Sequence, residues 1–220
     1  MTCPTVTFIS DWFSSKGWEP HSFQQEVWLA QSSCEQGLII APTGSGKTYA
    51  AMAETLANAA VNEKDCGKRS GVRMIWIAPI RALTKEIKLS AERMCAGFSL
   101  DWEVGIRTGD TTASEKARQR KRLPEVLITT PESLHVLMAM RDSQKRFKEL
   151  ECLVVDEWHE LLGTKRGVQV ELASAWLRLQ NPQLKVWGIS ATLGNPLEAM
   201  EALLGPLHDG RLIRSDWKKR

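Results

Sequence analysis

The stretch Ala41-Pro-Thr-Gly-Ser-Gly-Lys-Thr48 constrains this chain more than any other. It follows the short apolar run Leu38–Ile40 and opens an alanine-rich segment with helical spacing, from Lys47 to about Ala60. Gly44 and Gly46 let successive backbone N–H groups turn inward around an anion. A helix that starts where the turn ends adds the positive end of its dipole. This is the pattern of a phosphate-binding P-loop, with Ala41 in place of the first glycine. Ala41, Pro42, Thr43, Gly44, Ser45, Gly46, Lys47 and Thr48 are therefore expected to hold a nucleoside triphosphate. Lys47 would reach the β- and γ-phosphates, and the Thr48 hydroxyl would meet Mg2+. A glycine-rich turn with an exposed lysine is the plain alternative, and the strand before and helix after speak against it.

The rest of the chain supplies the setting that such a loop needs. Apolar runs recur at Leu38–Ile40, Val72–Ile77, Trp102–Ile106, Val126–Thr129, Leu153–Val155 and Val186–Ile189. Near-continuous apolar strands are those covered on both faces, as in parallel sheets. Helical patterns lie between them: Lys47 to about Ala60, Arg81 to Met94, and Val168 to Leu179. A fourth has Asn195 as N-cap, Pro196 at the first helical position and Gly205 near its end. This alternation predicts an α/β fold, a three-layer sandwich with a mainly parallel sheet and its sites at the carboxyl ends of strands. With 220 residues, 43% apolar and 25% charged, the chain has the material for one such domain and is not a disordered segment. A net charge of +3 makes no global case for a polyanionic partner. No apolar run is long enough to span a bilayer, and the N-terminus lacks a signal-peptide pattern. Five cysteines, odd in number and without a C-x-x-C pair, argue against zinc or a disulfide framework and fit a reducing cytoplasm.

A second feature belongs with the loop. The apolar run Leu153–Val155 ends in Asp156-Glu157-Trp158-His159-Glu160. A buried strand gains nothing from two adjacent carboxylates unless they meet a partner. Magnesium is a hard cation that takes oxygen ligands and keeps several waters, so Asp156 is expected to hold it together with Thr48. Glu157 is then placed to orient and deprotonate an attacking water. Lys47, Asp156 and Glu157 form the predicted catalytic set. Taken alone, a pair of acids is usually solvated charge; paired with a P-loop upstream, the catalytic reading prevails.

These residues resemble a known family. Asp156-Glu157-Trp158-His159 resembles motif II of the superfamily 2 helicases, and Ser190-Ala-Thr192 resembles motif III. Ala78-Pro-Ile-Arg81-Ala-Leu83 resembles motif Ia, and Thr129-Thr-Pro131-Glu132-Ser resembles motif Ib, all in family order. Trp158, with Arg107–Thr111 and Ser190–Asn195, is similar to the Lhr group, the large helicase-related proteins, and within it to the bacterial ligase-associated Lhr-Core branch. The resemblance implies a P-loop RecA-like motor domain that uses ATP and Mg2+ and acts on single-stranded DNA or an RNA-DNA hybrid. It further implies 3'-to-5' translocation, duplex unwinding, and DNA repair in the bacterial cytoplasm beside an ATP-dependent DNA ligase. An RNA helicase of the same superfamily is one alternative, because motifs that grip phosphates do not separate the two. A nucleotide-gated binding module that never unwinds is another.

The family's other positions carry over residue by residue. Pro20-His-Ser-Phe23-Gln24-Gln25 resembles a Q motif, whose glutamine amide can pair with the adenine edge. The spacing from the proline points to Gln24, with Gln25 as the alternative; Trp12, Phe13 or Trp18 would stack on the base. His159 is implied to link the ATP site to motif III through Ser190 or Thr192. Arg81, Thr108, Thr130 and Pro131 are implied to touch the phosphates of a single strand, and Arg107 and Asp110 either join them or are ordinary loop residues. Lys116–Arg122 reads as a solvated helix face rather than part of the strand path. Gly163–Gly167 could meet nucleic acid or a second domain, and His21, His135 and His208 show no ligand spacing. The chain is divided into an N-terminal Q-motif segment (1–36), a RecA-like ATP-binding domain (37–207) and the start of a linker (208–220). A second RecA-like domain with its arginine motif, and the winged-helix and C-terminal domains of the Lhr-Core type, are expected partners not found in this sequence.

Overall fold

The computed structural model describes residues 3–62 and 71–216, without the side chain of Arg81. Its elements run α1 (Pro4–Ser15), α2 (Ser22–Ser32), β1 (Gly37–Ile40), α3 (Lys47–Asn62), β2 (Met74–Ile77), a 3-10 turn (Arg81–Leu83), α4 (Thr84–Gly97) and β3 (Val104–Arg107). They continue α5 (Ala113–Lys121), β4 (Val126–Thr129), α6 (Pro131–Met138), α7 (Ser143–Phe147), β5 (Cys152–Val155) and α8 (Trp158–Leu161). The last are α9 (Lys165–Gln180), β6 (Lys185–Ser190), α10 (Pro196–Leu204) and β7 (Arg211–Arg214).

The seven strands form one sheet in the order β3-β4-β2-β5-β6-β1-β7, and every pairing is parallel. Successive side chains of a strand point to opposite faces, and the core divides accordingly. Met74 and Trp76 of β2 join a cluster with Ile9 of α1, Trp28 of α2, Leu56 of α3 and Ile87 of α4. Ile75 and Ile77 join the opposite cluster, with Leu134 of α6, Phe147 of α7, Trp158 of α8, Val170 of α9 and Leu203 of α10. The result is the three-layer sandwich read from the sequence. Trp28, Trp76, Trp158 and Trp187 are fully buried, and truncating any one of them to alanine would cost about 3–5 kcal/mol.

Local chemistry explains several helix starts. Thr130, Thr164 and Asn195 each accept a hydrogen bond from the backbone N–H three residues on, and Pro131 and Pro196 occupy first-turn positions. Several boundaries differ from expectation: the strand expected from Val72 starts at Met74, and the helix expected from Val168 starts at Lys165. The helix predicted from Arg81 begins as a 3-10 turn and becomes α4 only at Thr84. Trp102 lies ahead of its strand, with the Arg73 guanidinium 5.5 Å above its ring. The stretch expected to open a linker at residue 208 contains β7, which pairs with β1 from Gly37↔Arg211 to Ile40↔Arg214. Only Leu212 and Ile213 separate its two arginines, too few apolar residues to show as a strand without its neighbour. Residues 217–220 of that stretch lie outside the described residues.

Candidate active site

The loop after β1 turns through Gly44 at φ +87° and Gly46 at φ +81°, a left-handed backbone that glycine adopts without strain. Ser45 braces it, its hydroxyl donating to the Pro42 carbonyl at 2.8 Å. The entry is fixed by the Ala41 N–H, which donates to the Ser190 carbonyl at the end of β6 at 3.0 Å. Lys47 then starts α3, buried along its stem, with Nζ 3.4 Å from Glu157 Oε1. The two residues stand 110 positions apart in the sequence.

Asp156 leaves the end of β5 and is 8% exposed. It receives the Trp76 indole N–H at 3.3 Å on Oδ2 and the Glu157 N–H at 2.9 Å on Oδ1. Burial pushes its carboxyl up to about 6, and the Glu157 carboxylate adds to the rise; Lys47 and the two hydrogen bonds oppose it. Among the described residues Asp156 has no ion-pair partner. A buried carboxylate that two neutral donors do not fully compensate suits a hard divalent cation, whose charge would offset the desolvation. The glycine cradle, Lys47 and the half-buried Thr48 suit the phosphates that such an ion accompanies.

Glu157 itself lies in the left-handed region, φ +45° and ψ +47°, which costs a non-glycine residue about 1–3 kcal/mol. That turn swings its carboxylate back toward Lys47. It is held from behind by Trp158, whose indole N–H donates to the Ala199 carbonyl at 2.7 Å. His159 Nδ1 lies 2.9 Å from Ser190 Oγ and 3.4 Å from Glu157 Oε2. Ser190 Oγ also lies 3.0 Å from the Thr192 carbonyl, which can only accept. The serine hydrogen therefore goes to Thr192, and His159 carries its proton on Nδ1 and donates it to Ser190.

Gln24 is buried against the loop. Its Oε1 accepts from the His21 N–H at 2.8 Å and its Nε2 donates to the Gly46 carbonyl at 3.1 Å, which leaves one N–H and one lone pair free. Gln25 is exposed. Of the aromatic candidates, Trp12 and Phe13 are core residues, whereas Trp18 is 39% exposed with its ring 5.5 Å from that of Tyr49.

A second region opens beside this site on the same edge of the sheet. A cleft of about 510 Å³ is lined by Pro79 after β2, Arg107 and Thr108 at the end of β3, Thr130 and Glu132 at the start of α6, and Lys116, Arg120 and Arg166. Thr108 and Thr130 thus line the same cleft. Pro131 is buried at the head of α6, and the side chain of Arg81 lies outside the described residues. Lys116 and Arg120, one helical turn apart on a solvent-facing side of α5, border the cleft. Arg118, Arg120, Lys121 and Arg122 are all exposed as expected, and Arg118 is paired with Glu103 and Glu115. By sequence Arg166 belongs to a basic turn. It donates to Glu132 Oε1 at 2.7 Å and to the Pro79 carbonyl at 3.0 Å. Its position right after motif II was the one signal, and nothing local shows that it reaches motifs Ia and Ib.

Residues 21–200 match the model of the DEAD/DEAH box helicases. The chain belongs to that family. This DEAD/DEAH box helicase domain is 32% identical over 198 residues to the Lhr helicase/uracil glycosylase of Escherichia coli, covering 83% of the chain and 13% of that protein. It is 32% identical over 206 residues to the ATP-dependent helicase Lhr-Core of Methanothermobacter thermautotrophicus, covering 90% of the chain and 24% of that protein. A solved structure of Mycobacterium smegmatis helicase Lhr bound to single-stranded DNA and AMP-PNP matches with a TM-score of 0.81 at 28% identity, covering 94% of the chain and 27% of that protein. The Lhr resemblance and the RecA-like fold are both upheld. The helicase domain spans only about a quarter or less of its relatives' length.

Proposed function

We propose that this domain is the ATP-binding half of a DNA-dependent motor. One observation carries the reading. Lys47, Glu157, His159 and Ser190 form a continuous chain of contacts from the P-loop, through motif II, to the end of β6. In that chain the loop N–H groups and Lys47 bind the triphosphate. Thr48 and Asp156 would hold Mg2+, which supplies neutralisation of phosphate charge. Glu157 takes the proton of the attacking water, and its turn holds the carboxylate in place without reorganisation. His159 donates to Ser190 and so ties the position of Glu157 to β6. Gln24 offers adenine its remaining N–H and lone pair. Phosphates of a strand lie in the neighbouring cleft against Lys116, Arg120, Thr108 and the N-terminus of α6.

DNA is favoured over RNA as the strand because an Lhr relative is solved with single-stranded DNA. Movement 3'-to-5', action on RNA-DNA hybrids, DNA repair and service beside an ATP-dependent ligase belong to the whole protein and come with the Lhr resemblance. So do the second RecA-like domain and the C-terminal domains as partners. A bacterial cytoplasm suits the described cysteines, all of which are free thiols. No described helix is long and apolar enough to cross a membrane.

The test is ATP turnover by the protein with its remaining domains, titrated with single-stranded DNA and with RNA of the same sequence. Stronger stimulation by DNA supports the assignment. Equal or stronger stimulation by RNA overturns the choice of DNA, and no stimulation by either overturns the motor.

A further inference from the structure

A second cationic cavity lies at the opposite edge of the sheet. It measures about 230 Å³ and is lined by Gly71, Lys121, Arg122, Leu123, Asp142, Lys145 and Arg146. Gly71 precedes β2, Lys121 to Leu123 precede β4, and Asp142 to Arg146 precede β5. All belong to the amino edge, away from the P-loop. Arg122 is paired with Glu125, and Lys145 Nζ lies 3.4 Å from Asp142. Lys121 and Arg146 have no carboxylate partner among the described residues, and Arg146 Nε is buried without a hydrogen-bond partner. Among the described residues, two cations therefore face this cavity without a carboxylate partner, and one of them has an unused donor. Buried polar groups are ordinarily satisfied, so the unused donor points to an anionic ligand.

The cavity is not isolated. Helix α5 runs from the carboxyl edge toward the amino edge; Lys116 near its start and Arg120 in its last turn line the nucleic-acid cleft, and Lys121, also in the last turn, lines this cavity. Its nine residues span roughly 13 Å, and Arg120 and Lys121 are consecutive. Arg107, buried in the cleft wall, has its guanidinium held below the usual range by burial first, and then by the positive charges of Arg120 and Arg146. One field of positive charge thus joins the two cavities around the β3 end of the sheet. A flexible polyanion fits such a track, because it can place successive phosphates in both cavities.

We propose that the amino-edge cavity is a second phosphate site, which holds the backbone of the bound nucleic-acid strand where it continues beyond the cleft along α5. This rests on the nucleic-acid reading of the cleft. The cavity lies outside motifs Ia and Ib, and its contacts are with backbone alone, so it adds length to the footprint and no sequence preference.

The test uses this chain and two single-stranded DNA oligonucleotides, of about 6 and about 20 nucleotides. The variant is Lys121→Gln with Lys145→Gln, both at the surface, and its fold is checked by thermal unfolding. The expected result is roughly tenfold weaker binding of the long strand, unchanged binding of the short one, and a salt slope for the long strand reduced by about 1.4, two contacts at about 0.7 each. Arg146→Gln should act in the same direction, and Arg146→Lys should restore part of the loss. Unchanged long-strand binding overturns the site. Equal weakening of both lengths also overturns it, because the lysines would then act only through overall charge. If the unaltered chain binds neither strand, the cleft assignment itself fails and takes this proposal with it.

Discussion

Ser190 Oγ is hydrogen-bonded to His159 Nδ1 at 2.9 Å, while the Ser190 carbonyl accepts a hydrogen bond from the Ala41 N–H at 3.0 Å. One residue at the end of β6 thus touches both halves of the ATP site. This follows from strand order: β6 lies between β5, which carries Asp156 and Glu157, and β1, which carries the P-loop. Ser190→Ala removes only the hydroxyl link. It leaves His159 Nδ1 with only its longer contact to Glu157 and the exposed Thr192 carbonyl to water, so stability should fall by about 0.5–1.5 kcal/mol in urea unfolding. Nucleotide affinity should change little, because the backbone contact to Ala41 survives. Loss of nucleotide binding as complete as that of Lys47→Ala would refute this division of labour.

Asp156 sets a pH dependence whose sign is opposite to that of a salt-bridged acid. Its folded carboxyl titrates at about 6, above the value of about 3.9 for an unfolded aspartate. Between those two values the folded state holds the extra proton, so the contribution of Asp156 to stability falls as pH rises from about 4 to 6. Above 6 the penalty is constant. Asp156→Asn should therefore stabilise the nucleotide-free domain at pH 7 by about 1–3 kcal/mol and leave it unchanged near pH 4. Thermal unfolding at both pH values checks this; a destabilised variant at pH 7 would show that the carboxylate is compensated after all.

Below pH 6 the same proton competes with a cation. Mg-ATP affinity should drop by up to about tenfold per pH unit below that point, with uptake of a proton by the free protein. Calorimetric titration in buffers of different ionisation enthalpy measures the linked proton directly. An affinity that is flat from pH 5 to 7 would remove Asp156 as the metal holder.

Lys47 and Glu157 touch, yet their removal should differ. Lys47→Ala takes away the positive partner of the phosphates and should weaken Mg-ATP binding at least about tenfold. Glu157→Gln keeps the shape and spares the phosphates, so binding should persist while hydrolysis is lost. Equilibrium binding by this chain and single-turnover hydrolysis by the chain joined to the proposed second RecA-like domain separate the two. Equal loss of binding in both variants would mean that Glu157 serves the ground state.

Glu157 also stores backbone strain at φ +45°. Glu157→Gly should raise the unfolding free energy by about 1 kcal/mol relative to Glu157→Ala, since both lose the carboxylate and only glycine relaxes the left-handed turn. Identical midpoints for the two variants would show that the turn costs nothing.

Gln24 and Gly46 meet across the site. A Cβ at position 46 would lie 2.6 Å from Gln24 Nε2 on a backbone at φ +81°. Gly46→Ala should therefore displace Gln24 and abolish nucleotide binding. Gln24→Ala should narrow the preference for ATP over GTP more than Gln25→Ala, because Gln25 is exposed. Competition between the two nucleotides decides, and equal effects at both glutamines would rule out the adenine contact.

What the sequence determined by itself is what neighbouring residues can encode. Glycines at fixed spacing before a helix, an acid pair closing an apolar run, and Asn195-Pro196 at a helix start each act within a few residues, through backbone sterics and local hydrogen bonds. Uninterrupted apolar strands also showed that the sheet is covered on both faces. The tertiary structure alone decided which of these features meet. Lys47 reaches Glu157, and Ser190 bridges the P-loop to His159, only because β6 inserts between β1 and β5. Arg166 reaches Pro79 and Glu132 across 87 and 34 positions of sequence. The basic run of α5 splits between a cleft, a second cavity and an exposed pair because each face of a helix meets a different neighbour. Strand order and helix rotation come from the burial of both core layers at once, a cooperative sum over the whole chain, and no local pattern carries that sum.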